Sequence, residues 1–229
     1  MRVNLPNPPA GSNRYLYNLI ANLTKIFTKI RPASGWKDKE AAIASARVAG
    51  AKQPTWSQVI DGIYAFLFSP TTINEVYIAF HLPHDMALSY TQPDGTLTPP
   101  KFYLHVHWMS DGTDTGTARF GFEYSYAKGY GTAVYPSTAT VYVEQASDGV
   151  ALTHNIAELS DDDAISSAEF ETDGILMLRV FRDATHANDT LTDSTFITFI
   201  DFHYLSDGLE TVERNRGTGT VPWHKQSVL

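Results

Sequence analysis

The chain has 229 residues, of which 43% are hydrophobic and 18% charged, a composition typical of one large globular domain or of a domain with an arm. The formal net charge is -8, from 17 basic and 25 acidic residues, which argues against a nucleic-acid partner because phosphates require a basic surface. There is no cysteine, and this excludes disulfides, thiol catalysis and cysteine-ligated metals.

The N-terminal part of the chain predicts an extended arm followed by a helix. Residues 4–12, NLPNPPAGS, are rich in proline and glycine, and the segment lacks the apolar core of a signal peptide. From Asn13 to Arg31 apolar residues recur at helical spacing, and Pro32 ends the pattern. The apolar stripe consists of Leu16, Leu19, Leu23, Ile26 and Ile30. Two heptads do not hold a coiled coil alone, so we expect the stripe to pack on its own domain or on other copies.

A second, alanine-rich helix is predicted over about Asp38 to Val48, and from Ile63 onward the hydrophobic period changes to two. Alternation predicts half-buried strands, and Gly, Asp and Ser turn signals separate them. The strand-like runs are IYAFLF, INEVYIAFHL, KFYLHVHWMS, ARFGFEYSY, TATVYVEQA, AEFET, GILMLRVFR and FITFIDFHYL. No stretch approaches the length of about 18 apolar residues that a membrane span needs, so no membrane partner is expected.

These signals predict a mainly β protein, an antiparallel β-sandwich and most simply a jelly roll, with an N-terminal extended arm and helix. We divide the chain into an arm and helical anchor or oligomerisation segment, residues 1–55, and a sandwich domain, residues 56–229.

The face of the strands that points away from the predicted core carries polar and aromatic side chains. If Phe102, Leu104, Val106 and Trp108 face the core, their neighbours face outward, because side chains alternate across a strand. By the same rule the outward set is Tyr77, His81, Tyr103, His105, His107, Arg119, Glu123, Asp201 and His203. This mixture of aromatics, histidines and opposite charges differs from the Lys, Thr and Ser of a solvated face, so we expect something to cover it.

Three interpretations of the His-x-His pair are open. The first is a metal site, with His105 and His107 joined by His203 or Asp201, since two imidazoles and a carboxylate suit iron, manganese or zinc. The cupin version fits poorly, because Asp111 stands where a glutamate is expected and two prolines precede the pair. The second is a pair hydrogen-bonded within its own sheet. The third, which we favour, is a polar ladder between subunits; we therefore assign no metal and no cofactor.

Four segments together resemble a family of structural proteins of tailed-bacteriophage virions. These are HLPHD (81–85), YLHVHW (103–108), FGFEYSYA (120–127) and FIDFHYLSDG (199–208). In that family LPHD, HVHW, EY and DxHY strands recur in this order, and the resemblance spans roughly Trp56 to Asp207. It implies assembly on a virus particle. The chain ends in GTVPWHKQSVL, without the receptor-binding domain of a long fibre or a tailspike, so a short fibre is expected.

The sequence therefore predicts a non-enzymatic virion protein, made in the host bacterial cytoplasm. We expect a homotrimeric short tail fibre or fibre-base protein that contacts the tail adaptor or portal region. The alternative within the same family is a capsid decoration protein on the major capsid protein. Two other classes are a cupin-like metal-dependent enzyme and a carbohydrate-binding sandwich, in which Trp108, Trp223 and the tyrosines of YSYAKGYGTAVY would form a stacking platform.

Overall fold

The computed structural model describes residues 19–20, 22–23, 35–87, 89–91, 96–129 and 133–206. From residue 35 onward the described part of the chain consists of strands, one 3-10 turn, Ile43–Ser45, and the loops between them. In chain order the strands are β1 (Gly35–Ala42), β2 (Thr55–Ile60), β3 (Ile63–Phe68), β4 (Asn74–His81), β5 (Tyr90–Thr91), β6 (Leu97–Thr98), β7 (Lys101–Ser110), β8 (Thr117–Ala127), β9 (Ala139–Ala146), β10 (Asn155–Glu158), β11 (Ile165–Ser166), β12 (Ile175–Arg182) and β13 (Thr195–Ser206).

Two antiparallel sheets form the body of the molecule. The seven-stranded sheet has the order β10-β7-β13-β3-β2, and in addition β1 pairs with β13 and β11 with β7. The four-stranded sheet has the order β4-β12-β8-β9, while β5 and β6 form a separate ribbon. The series β1-β13-β7-β10 facing β4-β12-β8-β9 has the connectivity of a jelly roll. The predicted mainly β, antiparallel sandwich is therefore confirmed.

The core lies between the sheets and follows the alternation of the sequence. Phe102, Leu104, Val106 and Trp108 of β7 are all fully buried. They meet the inward side chains of the facing sheet, which are Val76, Phe80, Phe120, Phe122, Leu176 and Val180. The indole Nε1 of Trp108 donates to Gln145 Oε1 at 2.6 Å, so its polar edge is satisfied inside the core. This burial excludes Trp108 from the stacking platform of the carbohydrate-binding interpretation, and Trp223 lies outside the described residues.

A β-bulge in β13 decides which of its side chains face outward. The register with β7 shifts between Ile197 and Phe199, and a bulge of this kind reverses the alternation beyond it. Ile197 and Ile200 are consequently both buried in the core. Without the shift Asp201 would share the inward face of Ile197. The bulge therefore places Asp201 on the outer face of the seven-stranded sheet.

The predicted helix over residues 38–48 is wrong. Gly35–Ala42 forms β1, and the 3-10 turn Ile43–Ser45 follows it. The strand lies along β13, from Gly35 opposite Ser206 to Ala42 opposite Phe199, and this backbone pairing outweighs the helix propensity of its alanines. The sheet thus includes residues before the predicted boundary at residue 56. The AEFET segment is also not a strand: Phe170 sits in a turn and stacks on Phe102 with ring centroids 4.5 Å apart.

The N-terminal helix is only fragmentarily described. Leu19 and Leu23 have helical backbone and exposed side chains, and these few residues do not establish the helix. The predicted arm and Leu16, Ile26 and Ile30 lie outside the described residues. No helix found in the described part of the chain is long and apolar enough to cross a membrane.

Candidate functional site

Three histidines and an aspartate come together on the outer face of the seven-stranded sheet, at its two central strands. In the register of β7 with β13, His105 lies opposite Asp201 and Tyr103 opposite His203. The ring centroids of His105 and His107 are 5.2 Å apart, and those of His105 and His203 are 4.5 Å apart. We call this cluster, His105, His107, Asp201 and His203, the histidine face.

Asp201 lies between the two histidines of the His-x-His pair. Its Oδ2 is 3.7 Å from His105 Nε2 and 3.3 Å from His107 Nε2. His105 and Asp201 are only 1% and 4% exposed, although they point away from the core. Within the described residues the other carboxylate oxygen of Asp201, Oδ1, is buried and has no hydrogen-bond partner.

The Nδ1 atoms of the pair are engaged elsewhere. His105 Nδ1 is 3.2 Å from the carbonyl oxygen of Tyr103. His107 Nδ1 is 2.7 Å from His154 Nε2, a side chain contributed by the segment that leads into β10. In each ring these bonds leave Nε2 as the atom that faces Asp201.

Burial sets the charges of this cluster. It raises the pKa of Asp201 to about 7, with a further contribution from the neighbouring carboxylates of Glu40 and Asp38. It lowers the pKa of His107 to about 4, helped by the adjacent His105, and it also lowers the pKa of His105. At neutral pH both imidazoles are therefore uncharged, because removal from water disfavours the ionised form.

His203 has a different environment. Its Nε2 is 2.7 Å from Asp38 Oδ1 on β1, and its Nδ1 bonds Glu158 Oε1 on β10. His203 thus connects the two strands that flank the centre of the sheet.

Tyr103 lies beside this cluster on β7, whereas the other predicted outward residues lie on the outer face of the four-stranded sheet, on the opposite side of the sandwich. Arg179 bridges Glu75 and Glu123: its Nε is 2.8 Å from Glu75 Oε2, and its Nη1 bonds Glu123. Tyr77 donates its hydroxyl to Glu75 Oε1 at 2.8 Å. These residues line a groove of about 1100 Å³, which Met177 also borders.

Arg119 and His81 also pair within the chain. The guanidinium of Arg119 bonds Glu144, lies 3.2 Å from Asp183 Oδ2 and stacks on the Tyr142 ring at 3.9 Å. His81 Nε2 is 3.1 Å from Asp173 Oδ1. The predicted outward residues therefore divide into two separate surfaces, and only those of β7 and β13 form the histidine face.

Sequence reasoning missed the residues that complete the histidine face. Asp38, Glu158 and His154 lie on or beside β1 and β10, two strands that the hydrophobic pattern did not indicate. Asp38 even fell in a predicted helix. The acidic and histidine residue types were the only signal available, because strand pairing across long sequence separations leaves no local pattern.

Comparison with known proteins adds little to this description. No protein-family model matches the sequence, and no curated protein matches it. A solved structure, dimeric latent PorU from Porphyromonas gingivalis, is similar with a TM-score of 0.29 and 12% sequence identity. The match covers 75% of this chain and 13% of that chain. A likeness at this level carries no argument about function, and what defines the chain is its jelly-roll-like sandwich with a histidine cluster on one outer face.

Proposed function

We propose that the protein is a non-enzymatic structural component of a bacteriophage virion, a short tail fibre or fibre-base protein that assembles as a homotrimer. One observation carries the proposal: the segments that resemble the virion family support one another in the fold. Asp85 of HLPHD accepts hydrogen bonds from Tyr204 Oη at 3.0 Å and from Ser206 Oγ at 2.7 Å, both at the end of the final strand. The HVHW segment pairs directly with FIDFH in the sheet.

The β2–β3 hairpin supports an assembly role. Trp56, Ile60, Ile63 and Tyr64 are between 47 and 63% exposed, and β2 is the outermost of the described strands of its sheet. β3 pairs with β13 only over Phe66 to Phe68, so the rest of the hairpin extends beyond it. Exposed apolar side chains concentrated on an edge hairpin are typical of a protein contact. We assign this hairpin as the contact between copies.

The predicted outward residues of both sheets are less suited to be the main contact than the sequence suggested. Arg119 and Glu123 each make an ion pair inside the chain, and His203 lies between Asp38 and Glu158, so these side chains have partners without a neighbouring subunit. Their role at an interface stays a prediction, with the same residues available as a polar rim.

Native mass spectrometry of the purified chain tests the assembly. We expect a trimer for the wild type, a monomer for Ile63→Lys, since a lysine cannot be buried without a partner, and an unchanged trimer for Val150→Lys, a control at another exposed apolar position. A monomeric wild type over the whole concentration range, or an unaffected Ile63→Lys, would show the hairpin assignment to be wrong.

The virion placement is tested on particles. Quantitative mass spectrometry of purified phage gives the copy number, which is low for a tail component and comparable with that of the capsid subunit for the alternative, a decoration protein. Absence from particles whose other structural proteins are all detected would contradict both.

A further inference from the structure

The outer face of the seven-stranded sheet has the geometry of an unassigned cation site. In a tetrahedral zinc site with bonds of about 2.0–2.1 Å, ligand atoms lie roughly 3.3–3.5 Å apart. Asp201 Oδ2 is 3.7 and 3.3 Å from the Nε2 atoms of His105 and His107, and all three residues offer ligand atoms within 4.8 Å of one another. We propose that His105, His107 and Asp201 bind a divalent transition-metal ion.

Hydrogen bonds at the Nδ1 atoms of His105 and His107 favour the tautomers whose Nε2 atoms can bind a metal ion. The carbonyl oxygen of Tyr103 only accepts, so His105 Nδ1 carries the proton and the lone pair is on Nε2. His107 Nδ1 lies 2.7 Å from His154 Nε2, and in the tautomer in which Nδ1 donates this hydrogen bond the second lone pair is also on Nε2. Metal-ligating histidines commonly donate their other ring nitrogen in this way, which fixes the tautomer and the ring orientation.

The buried oxygen of Asp201 is an independent indication of a ligand. Across the described parts of the chain no group bonds Oδ1 of this side chain, although it is excluded from solvent. A buried carboxylate oxygen without a partner is costly, and the carboxylates of Glu40 and Asp38 nearby add negative charge rather than compensate it. A cation bound through Oδ2 neutralises the carboxylate and so lowers this cost, which falls on the buried group as a whole.

A second grouping, Asp38 with His105 and His203, has similar spacing, but the ring nitrogens of His203 already have other partners. Both ring nitrogens of His203 face carboxylates, Asp38 on one side and Glu158 on the other. The Asp38 side chain is 43% exposed, so water satisfies it without an ion. This cluster is therefore a hydrogen-bond network beside the metal site.

The donor set defines the class of ion. Two neutral imidazoles and one carboxylate suit zinc and its transition-metal neighbours, whereas calcium and magnesium prefer oxygen ligands throughout. The His107 side chain is 20% exposed, which leaves a coordination position open toward the surface. The ion would join β7 to β13, the two central strands, and this inference does not depend on the virion proposal.

Metal titration of the full chain, stripped with a chelator and then dialysed, tests the site. Isothermal titration with Zn²⁺ is expected to give one ion per chain, and Co²⁺ should give the visible absorption of a nitrogen- and oxygen-bound ion. Asp201→Asn and His107→Gln should each weaken Zn²⁺ binding on the order of 100-fold or more, as loss of a direct ligand exceeds the 10- to 100-fold effect of outer partners. His186→Gln, at an exposed histidine in a loop, is the matched control and should bind like the wild type.

Thermal melting shows whether a variant that fails to bind Zn²⁺ is still folded. Zn²⁺ should raise the melting temperature of the wild type and of His186→Gln, since an ion that binds only the folded state stabilises it, and should leave Asp201→Asn unchanged. Failure of the stripped wild type to take up Zn²⁺ would overturn the proposal, as would undiminished binding by Asp201→Asn. Loss of binding in His203→Gln with retention in Asp201→Asn would place the ion in the neighbouring cluster and refute the assignment.

Discussion

Arg182 and Asp189 form an ion pair that is fully enclosed by the protein, with Arg182 Nη2 2.8 Å from Asp189 Oδ1. Arg182 Nε lies 3.0 Å from the other carboxylate oxygen, and Nη1 donates to the carbonyl of Asp193 at 2.7 Å. This one guanidinium therefore organises the loop that leads from β12 to β13, the strand that carries Asp201.

Replacement of Arg182 by methionine should destabilise the fold severely. The change leaves Asp189 buried without its counter-charge, and breaking a buried pair from one side costs about 3–5 kcal/mol. Urea unfolding measures the loss. Arg47→Met, at an exposed arginine, should change the free energy of unfolding by no more than about 0.5 kcal/mol.

The double variant Arg182→Met/Asp189→Leu distinguishes the stability cost of an unpaired buried charge from the cost of altered packing. Removing both charges should recover much of the lost stability, because the penalty arises from the orphaned partner. If Arg182→Met alone unfolds at the same urea concentration as the wild type, the loop does not depend on this pair.

Asp85 should make stability depend on pH in the acid range. Burial raises the pKa of this carboxyl, but hydrogen bonds from Lys37, Ser206 and Tyr204 outweigh burial and hold it below 3.8. A depressed carboxyl pKa stabilises the fold above the unfolded value, and this stability is lost as the pH falls through the folded value. We therefore expect Asp85→Asn to lose about 1–3 kcal/mol at pH 7 and the difference from the wild type to shrink below about pH 4.

Chemical denaturation at several pH values between 7 and 3 checks this expectation. Asp162→Asn, at an exposed aspartate in a turn, is the control and should follow the wild type throughout. A difference between Asp85→Asn and the wild type that stays constant down to pH 3 would contradict the role of the ionised carboxyl.

The sandwich could be predicted because its central strands are half buried. In β7 the buried Phe102, Leu104, Val106 and Trp108 alternate with the outward residues, and periodicity of two reports this directly. The strand β1 could not be found in the same way, since Trp36 is its one large apolar residue and the strand is held by backbone pairing with β13. Four-residue β10 is too short for any period to appear.

For the candidate site, the sequence predicts which face of a strand a residue lies on but not which residues of other strands it contacts. Alternation places His105 and His107 on one face, but their contact with Asp201 needs the pairing of β7 with β13 and the bulge after Ile197. Neither is encoded by a local pattern. Asp38 and Glu158 enter the site only through the strands that flank these two.

The substitution Gly121→Ala tests how tightly the outer face of the four-stranded sheet is packed. A Cβ at this position would overlap the far end of the Phe181 ring, which is itself almost completely buried and lies beneath the guanidinium of Arg179, 4.3 Å from its carbon. Gly121→Ala should therefore displace the ring and cost about 1–3 kcal/mol.

Any replacement of glycine by alanine also stabilises the fold by about 0.4–1 kcal/mol, because alanine restricts the unfolded chain more than glycine does. At Gly121 this gain is smaller than the expected cost of the overlap. Gly35→Ala isolates that gain, since a Cβ there has nothing within 4 Å, and it should be neutral or slightly stabilising. Thermal melts of the two variants give the comparison. Equal melting temperatures would mean that the Phe181 ring swings aside freely, and the Arg179 bridge between Glu75 and Glu123 would then have to hold without the ring beneath it.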